Sequence, residues 1–215
     1  MEELSSLHSR GSEDSIAQLN ETIRVFIEKV NSPKLLQEID RSYKSKKQHF
    51  SFTMSNDGKL AVFTWNTYSN SSASGHRNIA LYLKNQKVIP TSLYNGSVIY
   101  DQIYTVQSIK GNLPIYILHG LEKSKEGEKY VRLDAYSIKN NGIELEKVFP
   151  DRRESITLLS TNVNYPLNLA DFKIEQKGEQ IKIPQLKDST GRYSLIKFDG
   201  TRYSQASLEG EDLIR

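Results

Sequence analysis

Between residues 97 and 149, four apolar runs follow one another with short polar breaks between them. No other stretch restricts the possible folds as much. The runs are 99–109, 115–118, 130–136 and 143–149. The breaks are Lys110-Gly111-Asn112, the charged stretch 123–129, and Asn140-Asn141-Gly142. In the third run Val131, Leu133 and Ala135 alternate with Arg132 and Asp134, the period-two pattern of a half-buried strand. Asn-Gly supplies the two positive-φ positions of a tight hairpin at little steric cost. The stretch therefore reads as an up-down-up-down antiparallel meander.

The segments on either side are consistent with this. Residues 1–13 are polar and read as frayed. Ser15 and Gln18 then have the spacing of a capping box. Ile16, Leu19, Ile23, Phe26, Ile27 and Val30 follow on one helical stripe. Asn31-Ser32-Pro33 ends that helix and opens a second, with Pro33 at its first position and Leu35, Leu36 and Ile39 on its apolar side. From residue 49 onward the pattern is β. Phe50-Ser51-Phe52-Thr53-Met54 and 60–65 form a hairpin around Asn56-Asp57-Gly58. The polar stretch 66–75 is a loop, and 77–84 and Val88-Ile89 are strands. After the meander come strands at 155–159, 172–175, 180–183 and 193–198, and a closing hairpin at Asp199-Gly200-Thr201. The division is a helical segment, 1–48, packed on an antiparallel β domain, 49–215, with a polar tail.

A four-stranded unit of this length matches a β-propeller blade, although a sandwich or barrel fits the same pattern. The hairpin S-N-D-G-K-L-A-V-F-T-W (55–65), with its Ser/Asn/Gly loop, and the closing L-I-K-F-D-G-T-R-Y (195–203) resemble uncharacterised, mostly-β extracytoplasmic bacterial proteins with propeller-blade-like hairpins. The resemblance implies a periplasmic or secreted domain without an assigned activity, and it supplies no catalytic residues. The first residues carry no signal-peptide pattern, so the expectation is a leader removed upstream or, alternatively, a cytoplasmic chain.

Composition narrows the chemistry. With no cysteine, a disulfide framework, a thiolate metal site and a cysteine nucleophile are all excluded. The net charge is only +3, with both signs interspersed, which argues against nucleic acid as a partner. Arg41, Lys44, Lys46 and Lys47 read as a solvated helix end. No apolar run reaches the ~20 residues of a membrane span. The four histidines, His8, His49, His76 and His119, share no ligand spacing, and no cofactor or metal is implied. His119 has the strand parity of Ile115 and Ile117 and reads as a satisfied core residue. Asp134 falls with Arg132 on a polar, solvated face. Neither a nucleophile elbow nor a phosphate cradle is present.

The remaining candidate is a binding surface made of Trp65, Tyr68, His76 and Arg77, around the loop between the second and third strands of the β region. Trp65 also shares parity with Ala61 and Phe63, which would place it in the core. The expectation is a non-catalytic domain that presents loops to a protein or glycan. The alternatives are a carbohydrate-active hydrolase using sheet-face carboxylates among Asp101, Asp134, Asp151 and Glu154, and a structural subunit that docks through its N-terminal helix.

Overall fold

A computed structural model describes residues 2–10, 12–45, 50–69, 75–93, 98–109, 113–123, 129–159, 172–184 and 193–206. The expected loop 66–75 and break 123–129 fall partly outside these, and the break Lys110-Gly111-Asn112, Lys46, Lys47, His49 and the polar tail fall wholly outside.

Three helices open the chain: α1 (Glu2–Ser9), α2 (Glu13–Glu28) and α3 (Pro33–Ser45). The first of these was not expected. Leu7 on α1 packs against the core, a tertiary contact that the polar composition of this segment hides. α2 begins before the expected capping box. Its N-cap is Ser12, whose hydroxyl donates to Ser15 Oγ at 2.8 Å and accepts no backbone N–H. Pro33 stands at the first position of α3, where its missing N–H is harmless.

Thirteen strands follow among the described residues, and they build three antiparallel sheets. The first comprises β1 (Ser51–Met54), β2 (Leu60–Asn66), β3 (His76–Lys84) and β4 (Lys87–Leu93), side by side in chain order. The second is the meander read from sequence: β5 (Ile99–Gln107), β6 (Pro114–Lys123), β7 (Lys129–Lys139) and β8 (Gly142–Leu145). β9 (Ser155–Leu159) adds to it, pairing with β7 over Tyr130–Asp134 beyond the reach of β8. The third comprises β10 (Lys173–Glu175), β11 (Gln180–Pro184), β12 (Tyr193–Phe198) and β13 (Tyr203–Ala206). None of the three closes into a barrel.

The sheets and helices stack in layers, and each interlayer space holds its own apolar cluster. Ile16, Ile27 and Leu36 of the helices meet Phe52, Phe63, Trp65, Ile79 and Leu81 on one face of the first sheet. The opposite face carries Leu60, Val62, Ala80 and Tyr82, which meet Tyr100, Ile103, Tyr116 and Leu118 of the second sheet. The far face of the second sheet, with Val106, Ile117, Val131 and Leu133, packs on Ile181, Ile196 and Tyr203 of the third. Each fully buried Ile or Leu contributes about 1.5–3 kcal/mol relative to exposure. Both faces of the two inner sheets are thus covered, which explains why β2 is buried along most of its length.

Two sequence readings are corrected by this arrangement. Asp134 does alternate with Leu133 and Ala135, but the face it occupies looks onto the first sheet and not onto water. It is 0% exposed. Its carboxylate accepts the Tyr100 hydroxyl at 2.6 Å and the Arg132 Nε–H at 3.0 Å. Pairing and hydrogen bonding are what make such burial tolerable. The Asn-Gly hairpin also differs. Lys139 pairs with Gly142, so Asn140 and Asn141 form the loop, and neither has a positive φ. Positive φ at both loop positions occurs instead at Asn85 and Gln86, between β3 and β4.

Candidate functional site

β2 ends at the corner on which the expected site residues converge. Trp65 lies opposite Arg77, and Asn66 lies opposite His76. Alternation turns Trp65 and Arg77 toward the helices, and Asn66 and His76 toward the other face.

Trp65 takes the core position that its parity with Ala61 and Phe63 indicates. It is 2% exposed, and its indole N–H donates to Asn20 Oδ1 at 2.8 Å. An indole nitrogen only donates, so this contact fixes which end of the Asn20 amide is oxygen. The Asn20 nitrogen then donates to Thr67 O at 2.7 Å and to Ile16 O at 3.0 Å. Tyr68 is half-buried at φ +53, with its ring 5.6 Å from that of His8. Arg77 is exposed, 3.9 Å from Glu21. The Glu21 carboxyl is held below the usual range, first by its hydrogen bond from Arg24 and then by the charges of Arg24 and Arg77.

Two adjoining depressions open beside this corner. One, of about 230 Å³, lies between α2 and the β1–β2 edge and is lined by Ile23, Phe26, Ile27, Phe50, Phe63, Thr64 and Trp65. The second, of about 280 Å³, shares Phe50, Thr64 and Trp65 with it and adds Ser51, Asn66, His76 and Ile99. Trp65 and His76 are therefore brought together, whereas Tyr68 and Arg77 line neither depression. Both side-chain donors of the first depression are engaged. Thr64 Oγ1 donates to Asn78 Oδ1 at 2.6 Å, and the Trp65 N–H is taken by Asn20. At its lip Phe26 is 65% exposed, and Lys29 Nζ lies 5.2 Å from the centre of its ring.

Sequence reasoning missed Phe26, Ile23 and Phe50 as site residues. The available signal was the width of the α2 stripe: Phe26 lies at one edge of it, where a single sheet face does not reach. The apolar surface also continues past the second depression. Ile99 lines it and stands opposite Leu121, and both are exposed.

The candidate acids do not converge around an open cavity. Asp134 is sealed between sheets. Asp101 occupies the irregular position in β5, where Tyr100 pairs with Gly120 and Gln102 with His119. Its Oδ1 lies 2.6 Å from His119 Nδ1. The His119 ring also stacks on Phe172 at 5.8 Å, so this histidine is half-buried and partnered. Asp151 faces Arg153 at 3.4 Å, and Glu154 faces Lys147 at 3.9 Å. Between the second and third sheets a more polar recess of about 290 Å³ holds Lys139, which pairs with Glu146 at 2.7 Å. Hydrogen bonds from Lys139 to Glu146 and Glu144 raise its pKa. Among the described residues, no group of three His, Asp or Glu is placed to hold a metal ion. No described helix is long and apolar enough to cross a membrane. Comparison with protein-family models, curated proteins and solved structures finds no match for this chain.

Proposed function

We propose that this chain is a non-catalytic binding domain that holds a protein partner at the depression between α2 and the β1–β2 edge. One observation carries the reading: an apolar recess whose side-chain donors are already engaged, bordered by the exposed ring of Phe26. Placing a sugar there would strip its hydroxyls of water without replacing those contacts, at about 1–3 kcal/mol for each group left unsatisfied. An apolar side chain loses nothing by entering. A protein partner is therefore favoured over a glycan, and the contact shifts from the loop tip to the helix–sheet junction.

The scaffold we propose is a row of three propeller-type blades with the helices covering the first. In support, each sheet contains a four-stranded meander with strand order following chain order, the second with β9 added beside β7. Action outside the cytoplasm is the remaining part of the proposal. It rests on the resemblance of the two hairpins and is tested by fractionating the source cells with an antibody against the chain. The hydrolase alternative gains no support, because Asp134 has no path to a substrate.

The test of the site uses the fluorescent probe 8-anilinonaphthalene-1-sulfonate with the folded full chain. Saturable one-to-one enhancement is expected, with loss in an Ile23→Trp variant that fills the recess. Enhancement that is absent, or unchanged in the filled variant, would overturn the assignment. Far-UV circular dichroism checks that the variant is folded.

A further inference from the structure

The partner's chemistry can be read from the lip of the recess, granted the binding role proposed above. The recess holds about 230 Å³. A dry protein cavity of about 150 Å³ accepts benzene, so this one has room for one large apolar side chain. No carboxylate lines it or the adjoining depression among the described residues. The two α2 carboxylates closest in sequence to Phe26 are both engaged by one guanidinium. Arg24 Nη1 donates to Glu28 Oε2 at 2.5 Å, and its Nε donates to Glu21 at 2.9 Å. Three of the last four carbonyls of α2 are engaged as well: the Lys29 N–H reaches Val25 O and Phe26 O, and the Val30 N–H reaches Ile27 O. That leaves the Lys29 ammonium over the Phe26 ring at the opening.

From this we infer that the partner is a protein segment presenting one large apolar side chain flanked by acidic residues. The side chain fills the recess between Ile23, Phe50 and Trp65, and a flanking carboxylate meets Lys29. An exposed pair of this kind contributes about 0.2–1 kcal/mol, so the flanking charge selects the partner while the apolar anchor supplies most of the affinity.

Three capped pentapeptides with the same central phenylalanine test this against the full chain by chemical-shift titration. One is flanked by glutamate and aspartate, one by lysine and one by serine and glycine. At low salt the acidic peptide should bind about fivefold tighter than the lysine peptide, the upper limit for an exposed pair. In 1 M salt, where charges are screened within about 3 Å, the difference should nearly vanish. Lys29→Glu should reverse the order, and Ile23→Trp should abolish all three. Equal binding of the acidic and lysine peptides, or an unchanged order in Lys29→Glu, would overturn this inference and leave the binding role standing. No saturable binding by any peptide would overturn both.

Discussion

Asn20 joins three parts of the chain through one buried amide. Its nitrogen meets the α2 backbone at Ile16 and the end of β2 at Thr67, and its oxygen receives the Trp65 indole. Few side chains could replace it, since the site needs a donor and an acceptor on one short planar group. Asn20→Ala leaves the indole N–H and the Thr67 carbonyl without this partner inside the core. Each such orphan costs about 1–3 kcal/mol, so a loss of about 3 kcal/mol is expected. Trp65, the only tryptophan, reports the change directly. Urea unfolding followed by its fluorescence should show an earlier midpoint, and an unmoved midpoint would refute the role. The sequence marked Trp65 and left Asn20 unmarked. An asparagine within a helix is ordinarily a surface residue, and only the distant indole gives it a reason to be buried.

At the level of elements, the turns decide how strands pair. The β12–β13 hairpin is held by Asp199, whose Oδ1 accepts the backbone N–H of Thr201 at 2.8 Å and of Arg202 at 2.9 Å. These bonds, that from Arg202 foremost, hold its carboxyl below the usual range. A depressed folded-state pKa stabilises the fold above the unfolded value of about 4, and that contribution is lost as pH falls through the folded value. Asp199→Asn keeps an acceptor oxygen but not the charge. The variant should be less stable than the parent at pH 7, and the gap should narrow in acid. Stability measured at both ends of that range is the check, and an equal gap would count against the account. β5 carries the other local device. Without its irregularity near Asp101, Tyr100 and Ile103 would point to opposite faces. With it, both enter the cluster shared with the first sheet.

For the molecule as a whole, the layered stack determines how it responds to alkali. Tyr100, Tyr116, Tyr136 and Tyr203 are buried among the layers, and burial first of all raises each phenol's pKa, with Asp134 adding to the effect at Tyr100 and Tyr136. A raised folded-state pKa means that the stability these residues contribute is complete below the unfolded value of about 10. It is lost as pH rises beyond that. Tyrosinate absorbance and far-UV circular dichroism should therefore change together above pH 10 for this group. Full ionisation near pH 10 with the dichroism intact would contradict the stack. Local rules alone were enough to place α2, α3 and the strands of all three meanders, because helical stripes, period-two alternation and Asn/Asp/Gly turns depend on near neighbours in the chain. What covers each face depends on residues far away in sequence. That is why Asp134, read as solvated, is buried, and why Trp65, offered as an anchor, lies beneath α2. It is also why Phe26, at the edge of its stripe, is left at the lip of an apolar recess: only the packing of helix against sheet decides which apolar residues remain uncovered.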